Sequence, residues 1–336
     1  VQAGATVIGP KPLTDPGLKN HPQCDDEVKK IGEELWGGNT GKGRVYPDKT
    51  EREVLLADGV LPDFEAGGAK DTFIDFIHRT TPEAEIYFLA NRKDRLEKVT
   101  ATFRQTGRQP ELWNPMTGEQ RDLPNFQIEN GRTSIPLDFD PSGSMFVVFR
   151  KPTTATAGAG SNFPAFETVQ TLEGPWTVQF DKEWFYPTDG LQGDAAQGQL
   201  VFDKLEDWTT RPEEPVKHFS GTATYRKTFP VSGLPSPVSK TFLDLGSVAH
   251  SAKVRLNGKD LGIVWCAPRR VDITDALKLG ENELEIEVVN SWPNRLIGDA
   301  KLPKEQRRTR TNITQYEKPE SQTLVPSGLL GPVTLQ

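Results

Sequence analysis

The chain has 336 residues, enough for two or three domains, and its 27 prolines, 30 glycines and 2 methionines are typical of a turn-rich β protein. A formal net charge of −7 excludes the basic footprint of a nucleic-acid-binding protein. The sequence contains no run of 18 apolar residues, so it predicts no membrane-spanning helix. The two cysteines, Cys24 and Cys266, are far apart and have no metal-type spacing.

Residues 1–85 alternate short strands and helices. Apolar residues at helical spacing predict a helix over residues 25–36, and Thr50 with Glu53 has the spacing of a capping box at the start of a second helix. The segment contains neither a GxGxxG fingerprint nor a phosphate loop. We therefore expect part of an α/β layer that begins inside a longer fold.

The remaining chain is predicted to be mostly β. Residues 86–152 consist of short alternating runs between Gly, Pro and Asn turns, which predicts a small β-sandwich. Residues 153–161 are small and uncharged, as in a linker. Residues 162–336 are again rich in predicted strands, which indicates a jelly-roll β-sandwich.

The most informative segment is residues 241–299. Asn257-Gly258 lies between two alternating runs and is a strong hairpin signal, and a third alternating run covers residues 282–289. We expect that run to end in a loop that brings together ring-binding and hydroxyl-binding side chains, namely Asn290, Trp292, Asn294, Arg295 and Asp299. An indole stacks on the C–H face of a sugar, while planar amides and a guanidinium pair with its hydroxyls. The segment therefore predicts a carbohydrate-binding edge.

Two further residues join the predicted site, and structural roles remain open for several members. Trp265 lies on a predicted strand inside an alternating run, where it suits either core packing or ligand stacking. Arg269 follows Pro268 at a turn, where it is either solvated or holds an acidic sugar. In the same way, Trp292 fits a plug at the end of the sandwich, and Arg295 fits an ion pair with a carboxylate four residues later.

The C-terminal region contains, in order, WTVQFD, ATYRKTF, KVRLNGKDLGIVW and GENELEIEVVN. This pattern resembles the sugar-binding β-sandwich of family 2 glycoside hydrolases. From end to end, the chain also resembles the C-terminal half of glycoside hydrolase family 106, the α-L-rhamnosidases of plant-polysaccharide-degrading bacteria, through VQAGATVIGPKP, GKGRV, RQPELWNPMTGE, NSWPNRLIGD and SGLLGPV. The resemblance implies a partial amidotransferase-like α/β unit, a small β-sandwich and a galactose-binding-like jelly-roll domain.

In that family the catalytic carboxylates lie on an N-terminal (β/α)8 barrel, which is missing here, so the catalytic residues are unknown. The resemblance implies a non-catalytic portion of an enzyme that hydrolyses terminal α-L-rhamnosides. Its partners would be the barrel and a rhamnose-containing plant glycan, and its location secreted or periplasmic. The alternative is a stand-alone carbohydrate-binding protein. A structural calcium ion is expected by analogy with jelly-roll carbohydrate modules, but the sequence has no DxDxDG loop and the metal site is unknown.

Overall fold

The computed structural model describes residues 1–187, 190–233 and 240–336. Its N-terminal portion is α/β, as predicted, with the elements β1 (Thr6–Ile8), α1 (Gln23–Trp36), β2 (Arg44–Tyr46) and α2 (Glu51–Ala57). Strands β1 and β2 run parallel because α1 forms the crossover between them. The predicted capping box is present: the Thr50 side chain accepts from the Glu53 amide, and the Glu53 carboxylate accepts from the Thr50 amide.

A small β-sandwich follows, built from two five-stranded antiparallel sheets in the orders β12-β9-β10-β6-β3 and β4-β5-β11-β7-β8. Alternate residues face a shared core that includes Tyr87, Leu89, Phe103 and Phe149. The strands are β3 (Phe64–Gly67), β4 (Ile74–Thr80), β5 (Glu85–Asn91), β6 (Glu97–Phe103), β7 (Arg108–Trp113), β8 (Gln120–Asp122), β9 (Phe126–Glu129), β10 (Arg132–Phe139), β11 (Ser144–Pro152) and β12 (Ala157–Gly158).

The strand pairing places more of the chain in this sandwich than the sequence division did. Strand β3 pairs with β6, and β4 pairs with β5, so the predicted boundary between residues 85 and 86 separates strands of one sheet. Strand β12, inside the predicted linker 153–161, pairs with β9. The sandwich therefore runs from residue 64 to residue 158, because backbone pairing to distant strands decides membership, and local composition does not show it.

The C-terminal portion is the expected second sandwich. Its six-stranded antiparallel sheet has the order β15-β14-β16-β22-β19-β20, a four-stranded sheet has the order β13-β24-β17-β21, and β18 pairs with β23. The elements are β13 (Gln170–Thr171), β14 (Trp176–Phe180), α3 (Gly193–Ala196), β15 (Gln199–Phe202), α4 (Glu214–Lys217), β16 (Thr222–Val231), β17 (Phe242–Asp244), β18 (Ser247–Ala249), β19 (Ser251–Leu256), β20 (Lys259–Val264), β21 (Arg270–Asp272), β22 (Gly280–Val289), α5 (Pro293–Ala300), β23 (Gly328–Gly331) and β24 (Thr334–Leu335).

The predicted hairpin is β19–β20. Asn257 and Gly258 have φ values of 52° and 80°, the left-handed conformation that a two-residue type I′ turn requires. Strand β19 also pairs with β22, so the three alternating runs of the sequence become three neighbouring strands. Their inward residues join the core of this sandwich, which holds the candidate site at one end.

Candidate carbohydrate-binding site

One end of the six-stranded sheet carries the predicted site. In an antiparallel sheet, neighbouring strands alternately end and begin at the same edge of the sheet. The strand register shows which strands end at this edge. Val289, the last residue of β22, pairs with Thr222 at the start of β16 and with Ser251 at the start of β19. Strand β20 ends opposite Ala252, and β14 ends opposite Ala223. The connections that follow β14, β20 and β22 therefore leave the sheet side by side.

Each of these three connections exposes a tryptophan. The side chains of Trp292, Trp265 and Trp184 are 68%, 60% and 43% exposed. Strands lie about 4.8 Å apart, so the ends of β20 and β22, which flank β19, are separated by roughly 10 Å. On the other side of β22, a Cβ atom on Gly221 would lie 3.6 Å from the Cβ of Trp184. We call Trp184, Trp265 and Trp292 the tryptophan edge; its three exposed tryptophans span the ends of five neighbouring strands.

The two predicted amides face inward. The Asn290 Oδ1 accepts from the Gly221 amide at 2.9 Å, and its Nδ2 donates to the Phe219 carbonyl at 2.9 Å and to Ser327 Oγ at 3.0 Å. Asn294 Nδ2 donates to the Val325 carbonyl at 2.7 Å, and its Oδ1 accepts from the Val325 amide at 2.8 Å. The fold therefore uses the hydrogen-bonding groups of Asn290 and Asn294, and we place both residues beneath the site, where they hold its loops.

The sequence expectation of a loop after β22 is corrected, because residues 293–300 form helix α5. The sequence signal for this helix is Pro293, which lies in its first turn. An amide hydrogen at that position would have no acceptor within the helix, so proline loses no hydrogen bond there. The helix buries Arg295, whose guanidinium donates to the Trp184 carbonyl at 3.1 Å and lies 4.9 Å from the ring centre of Tyr186. Burial lowers the pKa of Arg295, and the charge of Asp299 acts in the opposite direction.

Asp299 is 3% exposed and holds the chain that follows α5. Its Oδ2 accepts from the amides of Arg308 and Thr309 at 3.0 and 2.6 Å and from Thr309 Oγ1 at 2.6 Å. The ion pairs of the described residues do not include one between Arg295 and Asp299, although the two lie one helical turn apart. Instead, Asp299 Oδ1 and Arg295 Nε are both buried without a hydrogen-bond partner among the described residues.

The remaining predicted residues lie in the β20–β21 connection. Trp265 is solvent-exposed, so the core-packing alternative is not what the structure shows. Arg269 is half-buried: its carbonyl accepts from the Leu245 amide at 2.9 Å, and its Nε is buried without a partner among the described residues. Its neighbour Arg270 donates to Asp244 at 2.9 Å, so it is not available to a ligand in the same way.

Sequence reasoning missed three contributors to this end of the sheet. Trp184 and Tyr186 lie in an aromatic-rich segment after β14, but the pairing of β14 with β16 is long-range and is not visible in the residue pattern. Arg308 is the third contributor and lies in the polar stretch after α5. Its guanidinium lies 4.6 Å from the ring centre of Tyr186, which thus contacts both Arg308 and Arg295.

The described residues include no cluster of three or more His, Cys, Asp or Glu side chains arranged for a metal ion. The structural calcium ion stays a prediction without assigned ligands. In the same part of the chain, no helix is both long enough and apolar enough to cross a membrane.

Comparison with known proteins relates both portions of the chain to glycoside hydrolases. Residues 1–128 match the family model for alpha-L-rhamnosidase (glycoside hydrolase family 106), and residues 176–323 match the galactose-binding-like domain of family 2 glycoside hydrolases. The rhamnosidase from Novosphingobium sp. PP1Y matches 100% of the chain at 37% identity with a TM-score of 0.77, and the chain covers 31% of that protein.

Two further relatives are more distant. A protein of Formosa agariphila, named as a candidate beta-glucuronidase, is 24% identical over 100% of this chain, which covers 48% of that relative. The beta-glucuronidase from Ruminococcus gnavus matches 49% of this chain and 28% of its own length, at 21% identity and a TM-score of 0.32, too low to support an inference. The chain therefore spans about a third of the rhamnosidase and about half of the curated relative.

The chain thus matches alpha-L-rhamnosidases of glycoside hydrolase family 106 over residues 1–128 and the galactose-binding-like domain of family 2 glycoside hydrolases over residues 176–323, and over its whole length it has the fold of the matching part of the Novosphingobium rhamnosidase.

Proposed function

We propose that this chain is the non-catalytic portion of an α-L-rhamnosidase-like glycoside hydrolase, that it binds rhamnose-containing plant glycans, and that it supports the catalytic barrel. The matches to two glycoside hydrolase models support a carbohydrate-active protein. The observation that carries the glycan-binding part is the tryptophan edge, where three indoles are exposed at one end of one sheet. Buried tryptophans elsewhere in this sandwich, such as Trp176 and Trp208, show that the fold has room for indoles in its core.

The edge suits an oligosaccharide better than a single sugar. Indole rings bury a large area and present a flat apolar face, which fits the C–H face of a pyranose ring. Because the ends of β20 and β22 are roughly 10 Å apart, Trp265 and Trp292 would contact different sugar residues of one chain. Trp292 sits at the N-terminus of α5, which Asn294 and Asp299 hold in place, so little side-chain and loop freedom is lost on binding.

We assign catalysis to a part of the parent glycoside hydrolase that lies outside these residues. Glycoside hydrolysis uses two carboxylic groups on either side of the scissile bond. Asp299 is the carboxylate nearest the edge among the predicted residues, and it is buried with three donors on its Oδ2. A carboxylate fixed in this way holds loops together and is a poor general acid. Secretion or a periplasmic location remains a prediction from the family resemblance.

The proposed support of the barrel rests on exposed apolar side chains in the α/β portion. Before β3, the buried apolar side chains of the described residues are those of Cys24 and Val54, whereas Ile31, Leu55 and Leu56 are 54%, 47% and 42% exposed. Helices of globular proteins normally bury apolar side chains of this kind. We infer that this apolar surface packs against the catalytic barrel, which would make the chain a support for the barrel as well as a glycan-binding part.

The test is calorimetric titration of the purified chain with an α-L-rhamnose-terminated oligosaccharide. Trp265→Ala and Trp292→Ala should each weaken binding by about 5- to 30-fold, since a stacked aromatic contributes roughly 1–2 kcal/mol. Phe73→Ala is the matched control, because Phe73 is 55% exposed on the other sandwich. Absence of binding, or equal affinity of the tryptophan variants, would refute the glycan-binding role.

A second assay addresses catalysis directly. The purified chain is incubated with an aryl α-L-rhamnoside, with calcium and with EDTA, and release of the aryl group is followed. We expect no turnover in either condition. Turnover that survives removal of contaminating enzyme would place a catalytic site within these residues and would overturn the assignment to the barrel.

A further inference from the structure

The segment that follows α5 carries a dense positive charge. Residues 301–310, named the basic segment here, contain five basic residues and one acidic residue, a net charge of +4 in a chain whose net charge is −7. The basic residues are Lys301, Lys304, Arg307, Arg308 and Arg310. A local charge that is opposite in sign to the charge of the whole chain attracts anions to this part of the surface.

Contacts with α5 and α4 hold the backbone of the basic segment in place. Asp299 Oδ2 accepts hydrogen bonds from the amides of Arg308 and Thr309 at 3.0 and 2.6 Å and from Thr309 Oγ1 at 2.6 Å. Lys301 Nζ lies 3.3 Å from Nε2 of His218, the residue that follows α4. Because the segment is already fixed, a ligand that binds it loses little free energy in ordering it.

Three of the five basic side chains have no carboxylate partner. In the part of the chain that the structure describes, Lys304, Arg308 and Arg310 form no ion pair, and all three residues are exposed. Lysine and arginine side chains donate hydrogen bonds and accept none, so these exposed groups can bind only an acceptor. The basic segment therefore has donors and positive charge available for an anionic ligand.

Arg308 connects this charge to the tryptophan edge. Its guanidinium lies 4.6 Å from the ring centre of Tyr186, and the guanidinium of Arg295 lies 4.9 Å from the same centre. Arg295 also donates to the Trp184 carbonyl at 3.1 Å. Tyr186 follows Trp184 by two residues, so their Cα atoms are at most about 7 Å apart. An anion beside Arg308 would therefore lie close to a ligand on Trp184.

The electrostatics around Tyr186 favour a further negative charge. Burial lowers the pKa of Arg295, and the positive charge of Arg308 also lowers it, whereas Asp299 acts in the opposite direction. The Oδ2 of Asp299 already accepts three hydrogen bonds from the basic segment. Residues 181–183, which precede Trp184, add a net charge of only −1. An anion near the ring would offset the repulsion between the two guanidinium groups.

The guanidinium group also indicates the chemistry of the anion. Its planar fork of donors pairs with two oxygens of a carboxylate or of a sulfate ester. Sugars carry carboxylates as uronic acids, and they carry sulfate groups as esters of their hydroxyls. The ends of β14 and β22 flank β16 and lie roughly 10 Å apart. A glycan along this end of the sheet can thus contact Trp292 with one sugar and reach Arg308 with a charged substituent of another.

We propose that the basic segment binds an anionic substituent, a carboxylate or a sulfate ester, of a glycan that lies along this end of the six-stranded sheet. Arg308 makes the contact nearest to the tryptophan edge, and Lys304 and Arg310 add attraction at longer range. The inference rests on the proposed function in that the ligand is a glycan. It adds the charge of that glycan and a second set of residues that bind it.

The test compares three α-L-rhamnose-terminated trisaccharides in calorimetric titrations of the whole chain. The other two sugars are both glucose, both glucuronic acid or both glucose 6-sulfate, so the compounds differ only at C6 of these sugars. We expect at least one acidic compound to bind about tenfold more tightly than the neutral one, since charge-assisted hydrogen bonds are stronger than neutral ones. The acidic compound that binds more tightly identifies the substituent as a carboxylate or a sulfate ester.

The salt dependence gives a second readout. The affinity for the preferred acidic compound should fall when NaCl is raised from about 50 to about 300 mM, because salt screens exposed charges. The affinity for the neutral compound should not change.

Two variants and a control assign the effect to the basic segment. Arg308→Gln should reduce the preference for the acidic compound by roughly 3- to 10-fold, and Arg310→Gln should reduce it by less. Both variants keep the backbone amides that Asp299 binds. Arg79→Gln removes one exposed positive charge from β4 of the other sandwich, so it changes the net charge equally and should leave the preference unchanged.

Three results would overturn the inference. The first is equal affinity of the wild-type chain for the neutral and both acidic compounds. The second is a preference that Arg308→Gln and Arg310→Gln alter no more than Arg79→Gln does. The third comes from a parallel titration with inorganic sulfate: if sulfate alone binds as tightly as the acidic compounds, the basic segment is a simple ion site.

The same titrations separate this inference from the proposed function. If the neutral compound binds through Trp265 and Trp292 while the acidic compounds bind no more tightly, the inference is refuted and the role of the tryptophan edge stands. If the acidic compounds bind through Arg308 while Trp265→Ala and Trp292→Ala leave all affinities unchanged, the basic segment is supported and the role of the tryptophan edge is refuted.

Discussion

Replacement of Asn294 by alanine should destabilise the C-terminal sandwich by about 2–4 kcal/mol. The Asn294 side chain is 1% exposed and makes hydrogen bonds of 2.7 and 2.8 Å to the two backbone groups of Val325 and of 3.1 Å to Ser327 Oγ. Each such bond contributes roughly 1 kcal/mol net, and a buried group left without a partner costs more. Val325 is only half-buried, so water reaches part of the gap and keeps the loss below the sum of full penalties.

The measurement is urea denaturation followed by tryptophan fluorescence, combined with hydrogen exchange at the Val325 amide. Asn312→Ala is the control, since Asn312 is an exposed asparagine on the strap, the segment of residues 301–327 that follows α5, and should change stability by less than about 0.5 kcal/mol. Exchange at Val325 should accelerate in the Asn294 variant only. A loss below about 0.5 kcal/mol, with unchanged protection of Val325, would show that the strap is held by contacts other than this amide.

Two further predictions concern stability. Gly328→Ala should cost at least about 2 kcal/mol, because Gly328 has a φ of +107° and an added Cβ would lie 2.5 Å from Trp208 Nε1; in thermal denaturation, Gly280→Ala, with φ +81° and open space, should lose less. Burial raises the pKa of Glu111, but Arg150 and Lys151 outweigh this effect and lower it. The stabilisation is therefore present above the ordinary carboxyl pKa and is lost as the pH falls through the lowered value. The gap between wild type and Glu111→Gln should shrink from pH 7 to pH 3 in denaturation curves, and a constant gap would contradict this.

The strands that could be predicted from the sequence were those in which apolar and polar residues alternate. The run around Asn257-Gly258 identified a hairpin, and the observed turn has the backbone conformation that this pair of residues favours. The division at residue 85 separates paired strands of one sheet, because the residue patterns of β3 and β4 show no sign of their partners. Strand β3 pairs with β6, and Phe64 lies opposite Phe103, a pairing that only the folded chain displays.

The candidate site was also only partly predictable from the sequence. The residue types after β22 predicted a sugar-binding site, which stays a prediction, but they could not show which side chains face solvent. Pro293 starts a helix, and α5 then buries Arg295 and Asp299 one turn apart, although a loop would have exposed both. Trp184 was out of reach of any local argument, since it follows β14 and joins the edge only through the order β14-β16-β22 of the sheet.

The segment from Asn290 to Asp299 contains both the buried residues that hold its backbone in place and the tryptophan that faces solvent. Asn290 and Asn294 meet at Ser327 Oγ, so both amides fix the start of α5 to the same point of the returning chain. Trp292 lies between them in sequence and is 68% exposed. If an exposed indole lay on a mobile loop, ordering that loop on binding would cost conformational entropy and weaken the affinity. An indole whose backbone lies between two fixed residues avoids most of this cost. The buried amides of Asn290 and Asn294 would therefore favour binding by positioning Trp292, without contacting a ligand themselves.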